Sequence, residues 1–167
     1  MSLKKLSLLL VIVGLLGQHS ISIAQDAVST PKSITIALTS VVDEKGFGGQ
    51  PNCQMVFGIR NNSYGTLYYL SGELRAWDDR GRIIDSVLGA RVTNTKGFGS
   101  DAQPIAVGAT VLDLSKARFK EECRFISKIQ LRKVAESDCN IRNFPEDIAC
   151  RSLIRFGSQV PGITVEP

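Results

Sequence analysis

Four cysteines, three clustered aspartates, a basic run and a repeated Lys-Gly-Phe-Gly motif are the features of this 167-residue chain whose types and spacing could do chemistry. One absence limits them all. The single histidine, His19, sits in a leader-like N-terminus: Lys4 and Lys5, an apolar run from Leu6 to Leu16, a polar break at Gln18-His19-Ser20, then small residues at Ser22 and Ala24. That order predicts a secretory signal peptide over residues 1–24 and a mature chain starting near Gln25. The 11-residue apolar run falls well short of a membrane-spanning helix, and no later segment is apolar enough to span. Without residues 1–24 no histidine remains. Ser-His and Cys-His nucleophilic pairs and histidine-containing metal sites are thereby excluded.

Cys53, Cys123, Cys139 and Cys150 all belong to the mature chain, at spacings of 70, 16 and 11. A four-thiolate zinc site would need a C-x-x-C hook, and there is none. An even count in an exported chain points instead to two disulfides. Close spacing and an activated thiolate, the marks of a redox-active pair, are both missing. Asp78, Asp79 and Asp85 could in principle gather around a calcium ion, yet Arg80 and Arg82 lie among them. An ion-paired turn is the reading those arginines favour. Nothing in the spacing promotes a carboxylate pair for glycoside hydrolysis. Tyr64, Tyr68, Tyr69 and Trp77 would suit a sugar-binding face, but such residues more commonly pack across strands. Phosphate-cradling glycine motifs are absent, so no cofactor and no metal is expected.

Between Lys116 and Lys133 stand seven basic residues against two acidic ones. Period-two counting puts Arg124, Lys128 and Arg132 on one strand face at steps of roughly 13 Å. Such a ladder suits an acidic protein, an anionic surface or another anionic ligand. It equally serves as a solvated face that discourages edge-to-edge aggregation. The mature chain as a whole carries only 18 basic residues against 16 acidic. With no aromatic residues interleaved on the basic face, a nucleic-acid partner is not expected. Lys-Gly-Phe-Gly occurs at 45–48 and again at 96–99. Phe47 and Phe98 are candidate anchors for a partner, with caps over the ends of the fold as the structural alternative. Simple strand alternation puts the two loops at opposite ends.

The elements that must position these residues alternate with period two. Six strands are expected: 33–42, 53–60, 66–77, 82–92, 105–114 with Gly108 at a bulge, and 124–134, where Phe125, Ile129 and Leu131 face inward. Asn- and Gly-rich turns separate them, the pattern of an antiparallel sandwich over residues 33–134. Residues 25–32 read as a linker. Residues 135–156 read as a disulfide-bonded C-terminal extension with a short helix opened by Pro145-Glu146-Asp147, and 157–167 as a flexible tail. Alternation makes the second and sixth strands run the same way, which brings Cys53 and Cys123 to one end. The pairs are then Cys53–Cys123 and Cys139–Cys150, whose loop closures contribute about 4 and about 3 kcal/mol.

The stretches Cys53-x-M-x-F-x-I-x-N-N and Leu67-x-x-L-x-G-x-L-x-x-W-D-D-x-G-R are similar to exported immunoglobulin-like domains of bacteria. With Gly81-Arg82, Gly108, Cys123, Cys139 and Cys150, the chain over roughly 34–155 resembles a group of small exported alphaproteobacterial proteins with four cysteines. This resemblance implies an immunoglobulin-like sandwich in the periplasm or outside the cell. A fold of that kind hosts many activities, so function does not travel with it. The expectation is a non-catalytic binding or structural module of a cell-envelope assembly, engaging a protein partner. The alternative is a secreted inhibitor or effector that blocks a partner enzyme with a loop. Non-reducing peptide mapping of the purified protein should link Cys53 to Cys123 and Cys139 to Cys150; a Cys53–Cys139 peptide would overturn the strand layout.

Overall fold

The computed structural model describes residues 31–95, 102–134, 138–143 and 149–167. The chain is mainly β, with two sheets and two disulfides. Among the described residues ten strands follow in order: β1 Ser33–Lys45, β2 Pro51–Asn62, β3 Leu67–Trp77, β4 Ile83–Ile84, β5 Arg91–Thr93, β6 Thr110–Phe119, β7 Lys128–Lys133, β8 Cys139–Ile141, β9 Ile154–Ser158 and β10 Thr164–Glu166.

One sheet has the order β6-β2-β1-β9 and the other β10-β7-β3-β4, with β5 and β8 also pairing β3. Alternation does its expected work. Ile34, Ile36 and Leu38 of β1 enter the core, as do Met55, Phe57 and Ile59 of β2 and Ile129 and Leu131 of β7. In β2 the outward row is covered too, since Gln54 and Val56 are also buried. Arg118 reaches across from β6 to the Gln54 amide oxygen at 2.8 Å.

The sheets are not purely antiparallel. β9 runs parallel to β1, and β10 parallel to β7. β9 therefore enters the first sheet from the same end as β1. Residues 157–167, expected as a flexible tail, carry the last two residues of β9 and all of β10. Of the C-terminal extension, Cys139–Ile141 joins β3, Cys150–Leu153 forms a 3-10 turn, and Ile154 opens β9. The helix expected to open at Pro145 and carry Ile148, Leu153 and Ile154 is corrected at its end, where Leu153 closes the 3-10 turn and Ile154 is already in a strand; its start, on 144–148, lies outside the described residues.

The returning strand expected at 82–92 is broken into β4 and β5. Leu88 and Gly89 adopt positive φ (59° and 77°), and the intervening chain turns away from β3 to run beside β6. There the Val87 N–H donates to the Arg118 carbonyl at 2.8 Å and the Lys120 N–H to the Asp85 carbonyl at 2.8 Å. Ser115 Oγ adds a bond to the Arg91 carbonyl and accepts one from the Thr93 N–H. This closes one flank of the sandwich and partners an edge that would otherwise be open. The expected strand 105–114 begins only at Thr110 and continues to Phe119; Gly108 lies in the preceding turn at φ 81°, and the irregularity falls near Asp113 at φ 55°.

Two wholly buried asparagines hold the opposite end. Asn61 donates to the Gly65 and Ile105 carbonyls at 2.9 and 2.7 Å, while its oxygen accepts from the Ser63 N–H and hydroxyl. Asn94 accepts from the Leu70 N–H at 2.8 Å and donates to the Tyr68 and Gln103 carbonyls. Each replaces strand pairing where the chain leaves the sheet, so truncating one strands buried backbone groups. Asn94→Ala should lower unfolding free energy by about 3 kcal/mol in urea with the disulfides intact, whereas exposed Asn140→Ala should stay within about 0.5.

Candidate functional site

Strand directions gather the β1–β2, β3–β4 and β6–β7 connections at one end of the sandwich. The Cys53–Cys123 disulfide lies there, its Cα atoms 4.7 Å apart and both residues buried. This is the pairing that strand direction predicts, as is Cys139–Cys150 with Cα atoms 5.8 Å apart.

The β1–β2 connection, Gly46-Phe47-Gly48-Gly49-Gln50, is pinned by its own backbone. The Gly46 N–H donates to the Gln50 carbonyl at 2.7 Å and the Gly49 N–H to the Gly46 carbonyl at 3.0 Å. Gly48 and Gly49 both take φ near +75°, a conformation other residues rarely accept. Gly46 packs so close to the Asn52 side chain that a Cβ would collide with it. Held on this turn, Phe47 has a relative exposure of 105%. It is no cap: its ring contributes nothing to the core.

A second aromatic stands on the β6–β7 connection. Cys123 is drawn inward to Cys53, and its N–H donates to the Asp43 carboxylate at 2.7 Å. A 3-10 turn over Cys123–Phe125 follows, closed by the Ile126 N–H on the Cys123 carbonyl at 3.1 Å. Ile126 takes the buried position, and Phe125 is turned out to 48% exposure. This corrects the expected inward Phe125, since a period-two count cannot be carried across a turn. Arg124 stacks on Phe125 with its guanidinium 4.6 Å from the ring centre and pairs with Glu122 at 2.8 Å.

The basic ladder is accordingly broken. Arg124 sits on the turn, and only Lys128 and Arg132 belong to β7. Lys128 lies over the Trp77 ring at 4.9 Å and faces Glu166 at 3.8 Å, so it is already engaged. Arg132 is exposed further along β7, away from the loop end. Phe98 lies outside the described residues; the loop carrying it springs from the Thr95–Ala102 bridge, part of the β5–β6 connection at the other end. The structure thus brings Phe47 and Arg124 to one end, and adds Phe125. The signal that could have found Phe125 was Cys123 itself: a cystine committed to the core forces a turn before β7.

The β3–β4 turn completes this end. Asp78 accepts the Arg80 and Arg82 N–H groups at 2.9 and 2.8 Å and pairs with Arg82 Nε at 2.6 Å. Its carboxylate is spent on the turn, and among the described residues no group of three or more potential metal ligands comes together. Tyr68 and Trp77 sit nine residues apart on β3, roughly 30 Å, and form no common platform. Arg142 stacks on Tyr68 at 4.3 Å. Around the loop end Lys45, Arg80, Lys120 and Arg124 alternate with Glu44, Asp79, Glu121 and Glu122, so it is mixed in sign.

Among the described residues no helix is long and apolar enough to cross a membrane. Two disulfides point to an oxidising, extracytoplasmic environment.

Burial opposes ionisation of Asp78, but hydrogen bonds from the Arg82 N–H and guanidinium and the Arg80 N–H outweigh it and hold the carboxyl below its ordinary 3.8. The unfolded chain therefore binds this proton more readily. The stabilisation is present above pH 3.8 and lost as pH falls through the folded value. Melting temperatures of the native chain and Asp78→Asn should differ most near neutrality and converge in acid; a constant gap down to the acid limit would contradict the ion pair.

No protein-family model matches this chain, and no curated protein or solved structure does either.

Proposed function

We propose that this chain is an exported, non-catalytic binding module, a periplasmic or secreted accessory component of a bacterial cell-envelope assembly, which grips a protein partner with its loop end. The observation that carries this reading is Phe47. A whole aromatic side chain stands in water on a hydrogen-bonded turn, where it does nothing for the fold. Buried in a partner's pocket, such a ring contributes on the order of 2–3 kcal/mol. Phe125 and the stacked Arg124 supply a second anchor of the types enriched at interface centres.

Mixed charge supports a protein surface as the partner over an anionic membrane or polyanion, either of which wants a single positive field. The lack of histidine after residue 24, together with an Asp78 carboxylate consumed by its own turn, supports a role without catalysis. The immunoglobulin-like character and the kinship with small exported alphaproteobacterial proteins are part of the same proposal. They rest on the motifs around Cys53, Trp77 and the later cysteines, and on a two-sheet fold with two disulfides.

A rigid projecting loop also favours the second reading, an inhibitor that inserts Phe47 into an enzyme's cleft. Native size separates the two. In a gently solubilised envelope extract the untagged mature protein should migrate well above its monomer mass, and mass spectrometry of that fraction names the partner. Migration as a monomer would favour the inhibitor.

Phe47→Ala should keep its unfolding free energy within about 0.5 kcal/mol, yet weaken capture of that partner by about 30-fold or more. Arg124→Glu should weaken it in the same direction. Unchanged capture by both variants would move the interface elsewhere on the molecule.

A further inference from the structure

The segment Ile154–Glu166 behaves differently from the rest of the sandwich. It gives one short strand to each sheet, β9 on the edge of β1 and β10 on the edge of β7, and both pairings are parallel. Ile154 and Ile163 are buried, while Phe156, Val160 and Val165 pack against the core. Just past β9 the Gln159 N–H donates to the Leu38 carbonyl at 2.9 Å, and at the start of β10 the Thr164 N–H donates to the Ser127 carbonyl at 2.9 Å. This segment is a strap over the flank opposite the one where residues 85–91 cover β6.

Nothing else in the fold is built on the strap. β1 pairs β2, β2 pairs β6 and β3 pairs β7 without it, and Cys53–Cys123 ties the sheets independently. Beyond those pairings and contacts, one covalent link fixes its entrance. Cys139 lies on β8, paired to β3 in one sheet; Cys150 lies in the 3-10 turn that runs straight into β9 of the other. That disulfide fixes the start of the strap to the sheet it has just left. Unlike Cys53–Cys123, it anchors two peripheral strands and no central one.

We propose that Cys139–Cys150 locks an exchangeable strap: with the lock removed, Ile154–Glu166 of a second copy takes the same seat on β1 and β7. A second copy is the fitting occupant because the seat is shaped to this very sequence. Its register places Ile34 beside Ile154, Ile36 beside Phe156 and Ile129 beside Val165. Vacated, the edge of the 13-residue β1 would offer unpaired backbone groups to any strand of that pattern. Exchange of an identical element restores every contact at little cost.

The test uses the full mature chain with Cys139→Ser/Cys150→Ser and Cys53–Cys123 intact. Its probe is a fluorescein-labelled peptide of residues 150–167 carrying Cys150→Ser. The folded variant should dimerise with rising concentration in analytical ultracentrifugation and take up about tenfold more peptide than the oxidised native chain. Native-state hydrogen exchange on the unaltered protein gives an independent reading. Backbone amides of β9 and β10 should exchange about tenfold or more faster than those of β2, as a separately opening unit does. A folded variant that stays monomeric as concentration rises, or whose dimer excess peptide does not dissociate, overturns the proposal. Should the variant fail to fold, exchange of β9 and β10 at the rate of β2 in the native chain overturns it equally.

Discussion

The Cys53–Cys123 bond is the constraint from which the candidate site follows. Cys53 stands on a central strand and faces the core, so its partner must also come inward. Residue 123 therefore leaves the path that a strand through 124–134 would take. The chain recovers by a 3-10 turn, Ile126 drops into the core after the cystine, and β7 begins only at Lys128. Phe125 and Arg124 face solvent as a direct result. The same bond and the Asp43–Cys123 hydrogen bond pin this turn to the upper ends of β1 and β2, the strands that carry the Phe47 loop. A covalent tie deep in the sandwich thus sets the relation between two surface loops. Rigid loops of this kind bind without spending free energy on ordering themselves.

Much of the scaffold was legible because burial on one face writes a period of two. Ile34-Ile36-Leu38 and Met55-Phe57-Ile59 gave their strands directly, and from strand direction came the pairing of all four cysteines. Legibility failed where backbone or covalent demands overrode side-chain pattern. Leu88 and Gly89 break an apolar run that reads as one strand, because positive φ there sends the chain across to β6. Residues 154–166 alternate too weakly to mark strands alone; they become strands because two edges await them. The basic ladder failed for the same reason as the inward Phe125. Periodicity has meaning only inside one element, and the turn at 123–125 resets it.

Of the candidate site, the sequence offered Phe47 either as a projecting ring or as a cap, and its full exposure has a physical reason. An aromatic between glycines has no neighbouring side chains to shelter it, and two left-handed glycines fix the tip. Composition could not say that Arg124 would join it, since nearness depends on which strand ends share a side. Arg124 and Lys128 both look free in sequence, yet Phe125 and Glu122 claim the first and Trp77 and Glu166 the second. Charge counts alone therefore overstate what a surface offers. A cation already stacked and paired loses that interaction when it turns to a partner, and its net gain is small, so at the 123–125 turn the Phe125 ring offers more than the Arg124 charge.

Edges supply the remaining logic. A sandwich of two open sheets presents four edge strands, and each invites pairing with another chain. Here one flank is closed by the segment from Asp85 to Arg91, which lends backbone partners to the main chain of β6 and of Lys120 and to the Ser115 hydroxyl without becoming a regular strand. The other flank is closed by β9 and β10, which are short and present little further edge themselves. The two closures differ in kind. The first is threaded through the middle of the chain and held at both ends by strands on β3, so it cannot leave without unpairing the second sheet. The second follows the last central strand and leans on one peripheral cystine. The partition leaves the loop end, with Phe47 and Phe125, outside both closures: the backbone edges of the flanks find partners within the chain, and these two rings stand where the two sheets' connections meet.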